Sequence, residues 1–323
     1  MSAASSRQSD GNTPVIIGVA QRTWRERDRE RTPLDALEEV ATAALADSGS
    51  ARLAGAIDAI AHVPFLLTQV PELAPMMPRN LGAPLAERLG VDAVQYSAVA
   101  GGNLPQELVH RLAERLVAGE HRAVLLCGVE LLNTFLGSLR GGEAAPDWST
   151  GRDDDPQLLS DIPDVMTAPT EYAHGLFEPI VTYPLFESAL RHARGLDGPA
   201  HRQLLGELVS AMSRVAAENP LAWKREFFTP EAVVSTANRN RVICHPYTKL
   251  MNAIASVDMA AAAVLTTAAT ARELGVAPEQ CIYLWAGADT HDGWIVSERE
   301  TLHESPALRA AAASTLAQAG VGL

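Results

Sequence analysis

The spacing of apolar residues in the first part of the chain alternates between strand-like and helix-like patterns. A run rich in β-branched residues at positions 15–20 predicts a strand. From Pro33, apolar residues recur with helical spacing at positions 34, 37, 40, 41, 44 and 45, and Gly49 ends the predicted helix. Nearly continuous apolar runs, typical of strands covered on both faces, predict three more strands at positions 57–64, 91–97 and 123–129.

A second helix is predicted at positions 103–118, between the last two of these strands. Its apolar residues have helical spacing from Leu104 to Val117, and Asn103 with Gln106 resembles a capping box at the helix start. Strands and helices that alternate in this way predict a layered α/β domain with a largely parallel sheet.

The regular alternation stops near residue 133 and resumes near residue 251. The intervening stretch is rich in Pro and Asp around positions 147–163 and then has helical segments such as 203–219, so we interpret residues 133–250 as a domain inserted into the α/β core. A buried Ala/Val run at 256–265, a helix that ends at Gly275 and a strand at 281–286 predict a return to the core at 251–288. Residues 1–12, which are polar and contain no apolar segment, predict a loose tail.

The chain ends with a segment that is similar to its first helix. Each of the two segments follows a Thr-Pro or Ser-Pro pair, and chance similarity between Ala-rich helices remains an equal alternative to a true repeat. If the repeat is real, residues 289–323 begin a second copy of the α/β core that stops early. The matched residues, at a constant offset, are Leu37, Ala41, Leu45, Ala46 and Gly49 with Leu308, Ala312, Leu316, Ala317 and Gly320.

Composition and charge narrow the classes of function. The 323 residues include 39 acidic and 26 basic side chains, a net charge of −13 that disfavours binding to nucleic acids or anionic membrane surfaces. No uninterrupted apolar stretch is long enough to span a membrane, and the N-terminus lacks the pattern of a signal peptide. Three cysteines in no zinc-binding spacing favour neither a disulfide framework nor a zinc site, so a reducing cytoplasm is the expected location.

Several segments together resemble the thiolase superfamily, in its acetyl-CoA acetyltransferase-like, sterol-carrier-protein-type branch. The resemblance extends from about residue 14 to the C-terminus and implies a layered α/β/α fold with a large inserted loop domain, a coenzyme A thioester as substrate, a place in lipid metabolism and a homodimer. The segments that carry it are GGNLPQ at 101–106, VAGE at 117–120, VLLCGVE at 124–130, YPLFE at 183–187, AENPLAW at 217–223, NR at 240–241, PYTKLMN at 246–252 and VD at 257–258.

The resemblance also implies a catalytic cysteine, which this chain lacks. Thiolases hold the acyl group on the Cys of a Cys-x-Ser-Gly pattern just before a buried helix, where the helix N-terminus stabilises the thiolate. Aligning the family's Gly with Gly102 places Val99 at the nucleophile position and Gly101 at the Ser. Because a Val side chain forms no thioester, standard acyl-enzyme chemistry is not expected at this position.

Other groups around this turn are candidates for a role in the chemistry, each beside a structural alternative. Gly101 and Gly102, followed by Asn103, either leave backbone N–H groups free to form an oxyanion hole or make the tight turn before a helix. Tyr96 is a candidate acid or base, although packing is the commoner role of a strand tyrosine. Glu130 either braces the insertion near the site or caps the end of its strand. Ser97, Cys127 and Cys244 favour structural roles.

Binding of coenzyme A would require cationic side chains in contact with its phosphates. Given the resemblance, the best candidates by location in the insertion are Lys224, Arg225, Arg239 and Arg241, with solvated surface charge as the alternative for each. The polar residues Asp289, His291 and Asp292 lack the spacing of metal ligands, so no metal site is predicted.

Three hypotheses about function remain open. The first is an acyltransferase of the acetyl-CoA acetyltransferase-like type, which polarises an acyl-CoA thioester with backbone donors. The second is a retro-aldol lyase of CoA-linked side chains that depends on a small OB-fold partner, as in thiolase relatives without the Cys. The third is a non-catalytic CoA-binding or scaffold subunit. The family's second-half Gly-His-Pro-like and Cys-x-Gly-like signatures are absent here, so we expect either a truncated chain or a partner that supplies the remainder.

Overall fold

In the computed structural model, which describes residues 11–99, 101–149, 154–160 and 166–322, the chain divides into two compact units. The first consists of Met1–Ile162, Ser256–Asp289 and Ser314–Leu323, and the second of Pro163–Ala255 and Thr290–Ala313. The domain inserted into the core was placed at residues 133–250, whereas the second unit begins thirty residues later. The segments in between, up to residue 162, belong to the first unit.

The strands of the described chain are β1 (Pro14–Thr23), β2 (Ile57–Val63), β3 (Val94–Ser97), β4 (Ala123–Leu131), β5 (Gln157–Leu158), β6 (Val242–Cys244), β7 (Tyr247–Thr248), β8 (Asp258–Thr267) and β9 (Ile282–Tyr283). Its α-helices are α1 (Pro33–Asp47), α2 (Gly82–Leu89), α3 (Leu104–Val117), α4 (Leu132–Arg140), α5 (Pro169–Ala173), α6 (Pro179–Ala193), α7 (Gly198–Glu218), α8 (Pro230–Val234), α9 (Ala268–Leu274) and α10 (Pro306–Ala319). None of these helices is long and apolar enough to cross a membrane.

The first unit is built on one sheet whose described strands lie in the order β5-β3-β2-β4-β8-β1-β9. β5, β3, β2 and β4 pair in parallel, whereas β8 is antiparallel to both β4 and β1. β1 therefore points the same way as the parallel group, and only β8 and β9 run in the opposite direction. The predicted α/β class with a largely parallel sheet is confirmed.

Helices cover both faces of this sheet. Leu37 and Val40 of α1 are fully buried in one apolar cluster with residues of β1 and β4. On the other face, Leu104, Leu108 and Leu112 of α3 pack with β2, β3 and β8. This α-β-α layering is the reason that strands such as β4 are apolar on both faces.

Two local expectations at the helix ends and strand ends were wrong. Asn103 precedes α3 in a helical conformation and its side chain makes no cap hydrogen bond, so the predicted capping box does not form. The strand predicted at 281–286 is limited to β9, Ile282–Tyr283, because only these two residues pair with β1. The first helix, in contrast, has a true capping box between Thr32 and Asp35.

The second unit contains α5 to α8 and the two-stranded β6-β7 ribbon. α7 and α8 pack closely because Gly206 has no side chain: a Cβ there would lie 2.9 Å from the Pro230 carbonyl oxygen. Ser210 and Ser213 of α7 both donate to the Phe228 carbonyl oxygen, at 2.7 and 3.3 Å. These contacts fix which face of α7 is buried.

Candidate active site at the turn after the third strand

The turn between β3 and α3 carries Val99, which the family resemblance aligns with the nucleophile position. Val99 is partly buried against the α3-side cluster, and its backbone N–H donates to Ser160 Oγ at 3.1 Å. Ser160 lies next to Val99 because β5 pairs with β3 at the edge of the sheet. Just after β5, the Leu159 N–H donates to the Ser97 carbonyl oxygen at 2.9 Å. Sequence reasoning did not find this hydroxyl, because β5 has only two residues and its alternation carries no signal.

Backbone donors are available at this turn. α3 begins just after Gly102 and Asn103, and no described residue accepts a hydrogen bond from the N–H of either. A side chain added at Gly102 would meet no atom within 4 Å, so the turn is open on the side where that side chain would lie. Two unpaired N–H groups next to a helix N-terminus can stabilise negative charge on a thioester oxygen.

Neither cysteine of the first unit is placed to act as a nucleophile at this turn. Cys127 lies in the middle of β4 on the face opposite α3, and burial raises the pKa of its thiol to about 12. Cys281 precedes β9 at the far edge of the sheet, and burial likewise raises its pKa. Cys244 belongs to the second unit, on β6.

Glu130 is a titratable group on the α3 side of the sheet, near the carboxyl end of its strand. Val124 and Leu126 of β4 face α3, so by strand alternation Glu130 faces α3 too. Glu130 lies near the end of β4, at the carboxyl edge of the parallel strands, and α3 begins at the same edge. Because β2 alone separates β3 from β4, the axes of β3 and β4 are roughly 10 Å apart across the sheet.

The Glu130 carboxyl group is unusual in its environment. One oxygen, Oε1, accepts a hydrogen bond from the Leu66 N–H at 2.6 Å, whereas Oε2 is buried and has no partner among the described residues. Burial raises the pKa of Glu130 to about 7, against a smaller lowering by the Leu66 hydrogen bond. A carboxyl group with this pKa can both accept and donate a proton near neutral pH.

The structure separates Tyr96 from the turn. Its hydroxyl lies 2.8 Å from His121 Nε2, which precedes β4, and the Arg115 guanidinium lies over its ring at 5.3 Å. Burial raises the pKa of Tyr96. The hydroxyl thus points to the amino ends of the strands. A cavity of about 420 Å³ lies beside the C-terminal half of α3 and is lined by Arg111, Arg115, Glu120 and Leu158 among others.

The four proposed phosphate-binding cations are exposed in the second unit. Lys224 lies 3.4 Å from Glu226 and 4.3 Å from the centre of the Phe228 ring, and Arg241 donates to the Val242 carbonyl oxygen at 3.2 Å. Arg225 and Arg239 are exposed as well, and Arg239 has a left-handed backbone with φ of 64°. Their part in binding coenzyme A remains a prediction. Within the described residues, no group of His, Cys, Asp or Glu side chains is arranged to hold a metal ion.

The second unit contains a buried cluster of titratable side chains that sequence reasoning missed. Glu187 of α6 accepts from the Tyr247 hydroxyl at 2.7 Å, and its other oxygen lies 2.7 Å from His201 Nε2. Burial, followed by the Glu187 hydrogen bond, raises the pKa of Tyr247 above its usual range. The carboxylate thereby joins α6, α7 and β7, and it links the YPLFE and PYTKLMN segments.

We expect Glu187→Ala to destabilise the protein by about 2–3 kcal/mol, because it leaves two buried polar side chains without their acceptor. Tyr247→Phe, which leaves the bond between Glu187 and His201 intact, should cost about 1 kcal/mol. Urea unfolding of both variants checks this order. Equal stabilities would show that the cluster does not hold the three elements together.

Two buried groups at the sheet predict opposite dependences of stability on pH. His62 is 1% exposed, neither ring nitrogen makes an ordinary hydrogen bond to a described residue, and burial lowers its pKa to about 4. Between pH 6.5 and 4 the unfolded chain binds a proton there that the folded chain does not, so acidification destabilises. Glu130 keeps its proton in the folded chain up to about pH 7 but loses it near 4.5 when unfolded, so raising the pH destabilises.

The free energy of unfolding, measured by urea titration across this pH range, should therefore respond differently in two variants. His62→Leu should flatten the loss of stability on the acid side, and Glu130→Gln should flatten the loss towards neutral pH. A variant with an unchanged pH profile would show that its group titrates alike in the folded and unfolded chains.

Comparison with known proteins identifies the fold family. No family model and no curated protein matches the chain. Among solved structures, a monomeric SCP2-thiolase-like protein type 1 from Mycobacterium smegmatis matches 97% of this chain with a TM-score of 0.75 and 29% identity. This chain belongs to the thiolase superfamily. It spans 59% of the length of the mycobacterial protein.

Two further thiolase-fold structures resemble the chain at lower identity. The Ltp2-ChsH2(DUF35) aldolase has 18% identity and a TM-score of 0.67, with 96% of this chain and 70% of that chain covered. The acetyl-CoA acetyltransferase from Syntrophomonas wolfei has 17% identity and a TM-score of 0.54, with 97% and 77% covered. At these identities the two structures support the thiolase fold alone. The predicted thiolase-like α/β/α architecture, in the SCP2-thiolase-like branch, is confirmed.

Proposed function

We propose that this thiolase-like protein binds an acyl-CoA thioester at the turn after β3 and cleaves the carbon–carbon bond beyond C2 without an acyl-enzyme. The proposal rests on two features at the same face and edge of the sheet: the N–H groups of Gly102 and Asn103, for which no described residue is an acceptor, and the half-buried acid Glu130. An acyl transfer through a thioester would need a nucleophile, and Val99 supplies none.

The chemistry is a retro-aldol cleavage of a 3-hydroxyacyl-CoA. Ionised Glu130 removes the proton of the 3-hydroxyl group, the C2–C3 bond breaks, and C3 becomes a carbonyl. The electron pair moves to the thioester as an enolate, whose oxygen accepts from the Gly102 and Asn103 N–H groups. Glu130 then returns its proton to C2, which yields a shortened acyl-CoA with no other reactant.

The spacing of the two groups suits this substrate. A bound thioester oxygen and 3-hydroxyl oxygen would each lie about 3 Å from a hydrogen-bonding partner. Together with the few ångströms between the two oxygens, this length is close to the roughly 10 Å between the axes of β3 and β4. A solved structure with the same fold is named an aldolase, and its name joins Ltp2 to a DUF35 protein. As the family resemblance implies, we propose a small OB-fold protein as the partner.

The test supplies a panel of 3-hydroxyacyl-CoA esters, with and without the partner, and measures acyl-CoA and carbonyl products by mass spectrometry. We expect paired products and no label on denatured protein after incubation with radiolabelled acyl-CoA. Retained label would contradict the lyase and restore the acyltransferase. Binding of acetyl-CoA with no turnover in either assay would contradict the proposed activity and leave a non-catalytic CoA-binding subunit.

The expected place of the coenzyme A phosphates is tested separately by charge reversal. Arg225→Glu combined with Arg239→Glu should weaken acetyl-CoA binding about tenfold, since each loses an attraction and gains a repulsion. Arg272→Glu, an exposed change in the first unit, is the control. If calorimetry gave the double variant and the control the same affinity for acetyl-CoA, the coenzyme A phosphates would bind elsewhere.

A further inference from the structure

The cavity beside the C-terminal half of α3 lies in the first unit, next to the edge strand β5. Its volume of about 420 Å³ falls within the range of about 300–1,000 Å³ that is usual for small-molecule sites. α3 begins at Leu104, and the helix rise places Arg111, the first residue that lines the cavity, about 10 Å further along the axis. No described residue of the turn between β3 and α3 lines the cavity, so it is separate from the site proposed above.

Two arginines bring unused hydrogen-bond donors to this cavity. Arg111 and Arg115 both line it, and their spacing places them on the same side of α3. The Nε atom of each is buried and has no acceptor among the described residues. A buried donor without an acceptor destabilises a protein, and an oxygen atom of a bound ligand would remove that penalty.

The ion pairs of the two arginines leave free the side of each guanidinium that suits a carboxylate. Arg115 donates through Nη1 to Glu120 at 2.7 Å, and Nη1 of Arg111 lies 4.0 Å from Glu114. Neither ion pair uses Nε or Nη2, the two nitrogens whose N–H bonds point in the same direction. Two parallel N–H bonds match the two oxygens of a carboxylate.

Neighbouring side chains hold Arg115 in place. Its guanidinium lies over the Tyr96 ring, 5.3 Å from the ring centre, and the Tyr96 hydroxyl lies 2.8 Å from His121 Nε2. His121 Nδ1 in turn lies 3.3 Å from Asp58. Because Glu120 and Tyr96 already fix the guanidinium, it loses little conformational freedom when a ligand binds.

The charge and the lining of the cavity define the class of ligand. Glu120 is firmly paired with Arg115, whereas Glu114 is 73% exposed and only distantly paired with Arg111. Two arginines against one firmly paired carboxylate leave one positive charge, which matches a ligand with one negative charge. The apolar part of the lining is made by Ala118, Leu158 and Leu159.

We propose that this cavity binds a small monocarboxylic acid. The carboxylate accepts hydrogen bonds from the Nε and Nη2 sides of Arg111 and Arg115, and the short alkyl chain packs against Leu158 and Leu159. A phosphate monoester carries close to two negative charges at neutral pH and so exceeds the single positive charge. The site is independent of the proposed function, because it needs neither coenzyme A nor the turn after β3.

Isothermal titration calorimetry on the full chain tests this site with hexanoate as the probe. Hexanoate should bind and hexanamide should not, and the affinity should rise about three- to fourfold with each methylene group from butyrate to hexanoate. Arg111→Lys keeps the positive charge but loses the parallel donors, so it should bind hexanoate about tenfold more weakly. Absence of hexanoate binding, equal binding of hexanamide, or tighter binding of inorganic phosphate than of hexanoate would overturn the proposal.

Two further variants separate this site from binding elsewhere on the chain. Arg309→Lys changes an exposed arginine of the second unit that pairs with Glu304, and it should leave the affinity for hexanoate unaltered. Leu158→Ser, at a residue that is 64% exposed, should remove the gain from the longer alkyl chain and leave butyrate binding nearly unchanged. Circular dichroism should show that all three variants are folded. If Arg111→Lys bound hexanoate as tightly as Arg309→Lys, the carboxylate would lie elsewhere and the proposal would be wrong.

Discussion

Glu130→Gln should lower kcat/KM for a 3-hydroxyacyl-CoA by two to four orders of magnitude, with acetyl-CoA bound as tightly as by the wild type. The amide keeps a carbonyl oxygen to accept from the Leu66 N–H, so the shape of the site is retained. What it loses is a group that takes and returns a proton, a contribution of about 10²–10⁴ in rate. Activity should be measured together with affinity, because a structural role would change both.

The pH dependence of activity gives a second test of the role of Glu130. In the wild type, kcat/KM should rise with an inflection near pH 7, where Glu130 becomes ionised and can act as the base. Glu114→Gln, an exposed change on α3, is the matched control and should leave the profile unaltered. Turnover by Glu130→Gln at the wild-type rate would show that the proton is handled by another group.

Asp258→Ala should destabilise the protein by about 3 kcal/mol. Asp258 begins β8, is 1% exposed, and accepts from the Thr134 N–H at 3.0 Å, the Thr134 hydroxyl at 2.8 Å and the Asn133 side chain at 3.3 Å. The residue before α4, Leu131, supplies no side-chain cap, so Asp258 provides it from another strand. Its removal leaves buried donors unsatisfied.

Two comparisons isolate the cause of this loss. Asp258→Asn keeps one carbonyl oxygen and should be intermediate in stability. Asp155→Ala removes an exposed ion pair with Arg79 and should change the free energy of unfolding by less than about 1 kcal/mol. If urea unfolding showed that Asp258→Ala lowers the free energy of unfolding by no more than Asp155→Ala does, the capping role of Asp258 would be contradicted.

Most of the first unit was predictable because its strands and helices have strong apolar periodicity. β4 and α1 were found nearly to their ends, since each buries a continuous row of side chains. β5 was not predicted, because two exposed residues are held in the sheet only by pairing with β3. Asn103 was misjudged as a cap because the turn before α3, with Gly101 and Gly102, already places it in a helical conformation.

The site was only partly predictable for a related reason. The sequence shows that Val99 cannot hold an acyl group and that Gly102 lies three residues after it. Both features can be read from one short segment. Ser160 reaches the turn through the pairing of β3 with β5, and Glu130 is brought to the same edge of the sheet through the pairing of β2 with β4. Such contacts between distant segments leave no periodicity in a single sequence.

The central claim is that this thiolase-like protein acts on acyl-CoA without holding the acyl group. The most direct measurement is the intact mass of protein denatured by acid during turnover of a 3-hydroxyacyl-CoA. We expect the mass of the unmodified chain while shortened acyl-CoA accumulates. An added acyl mass, traced to any residue of the turn after β3, would contradict the claim.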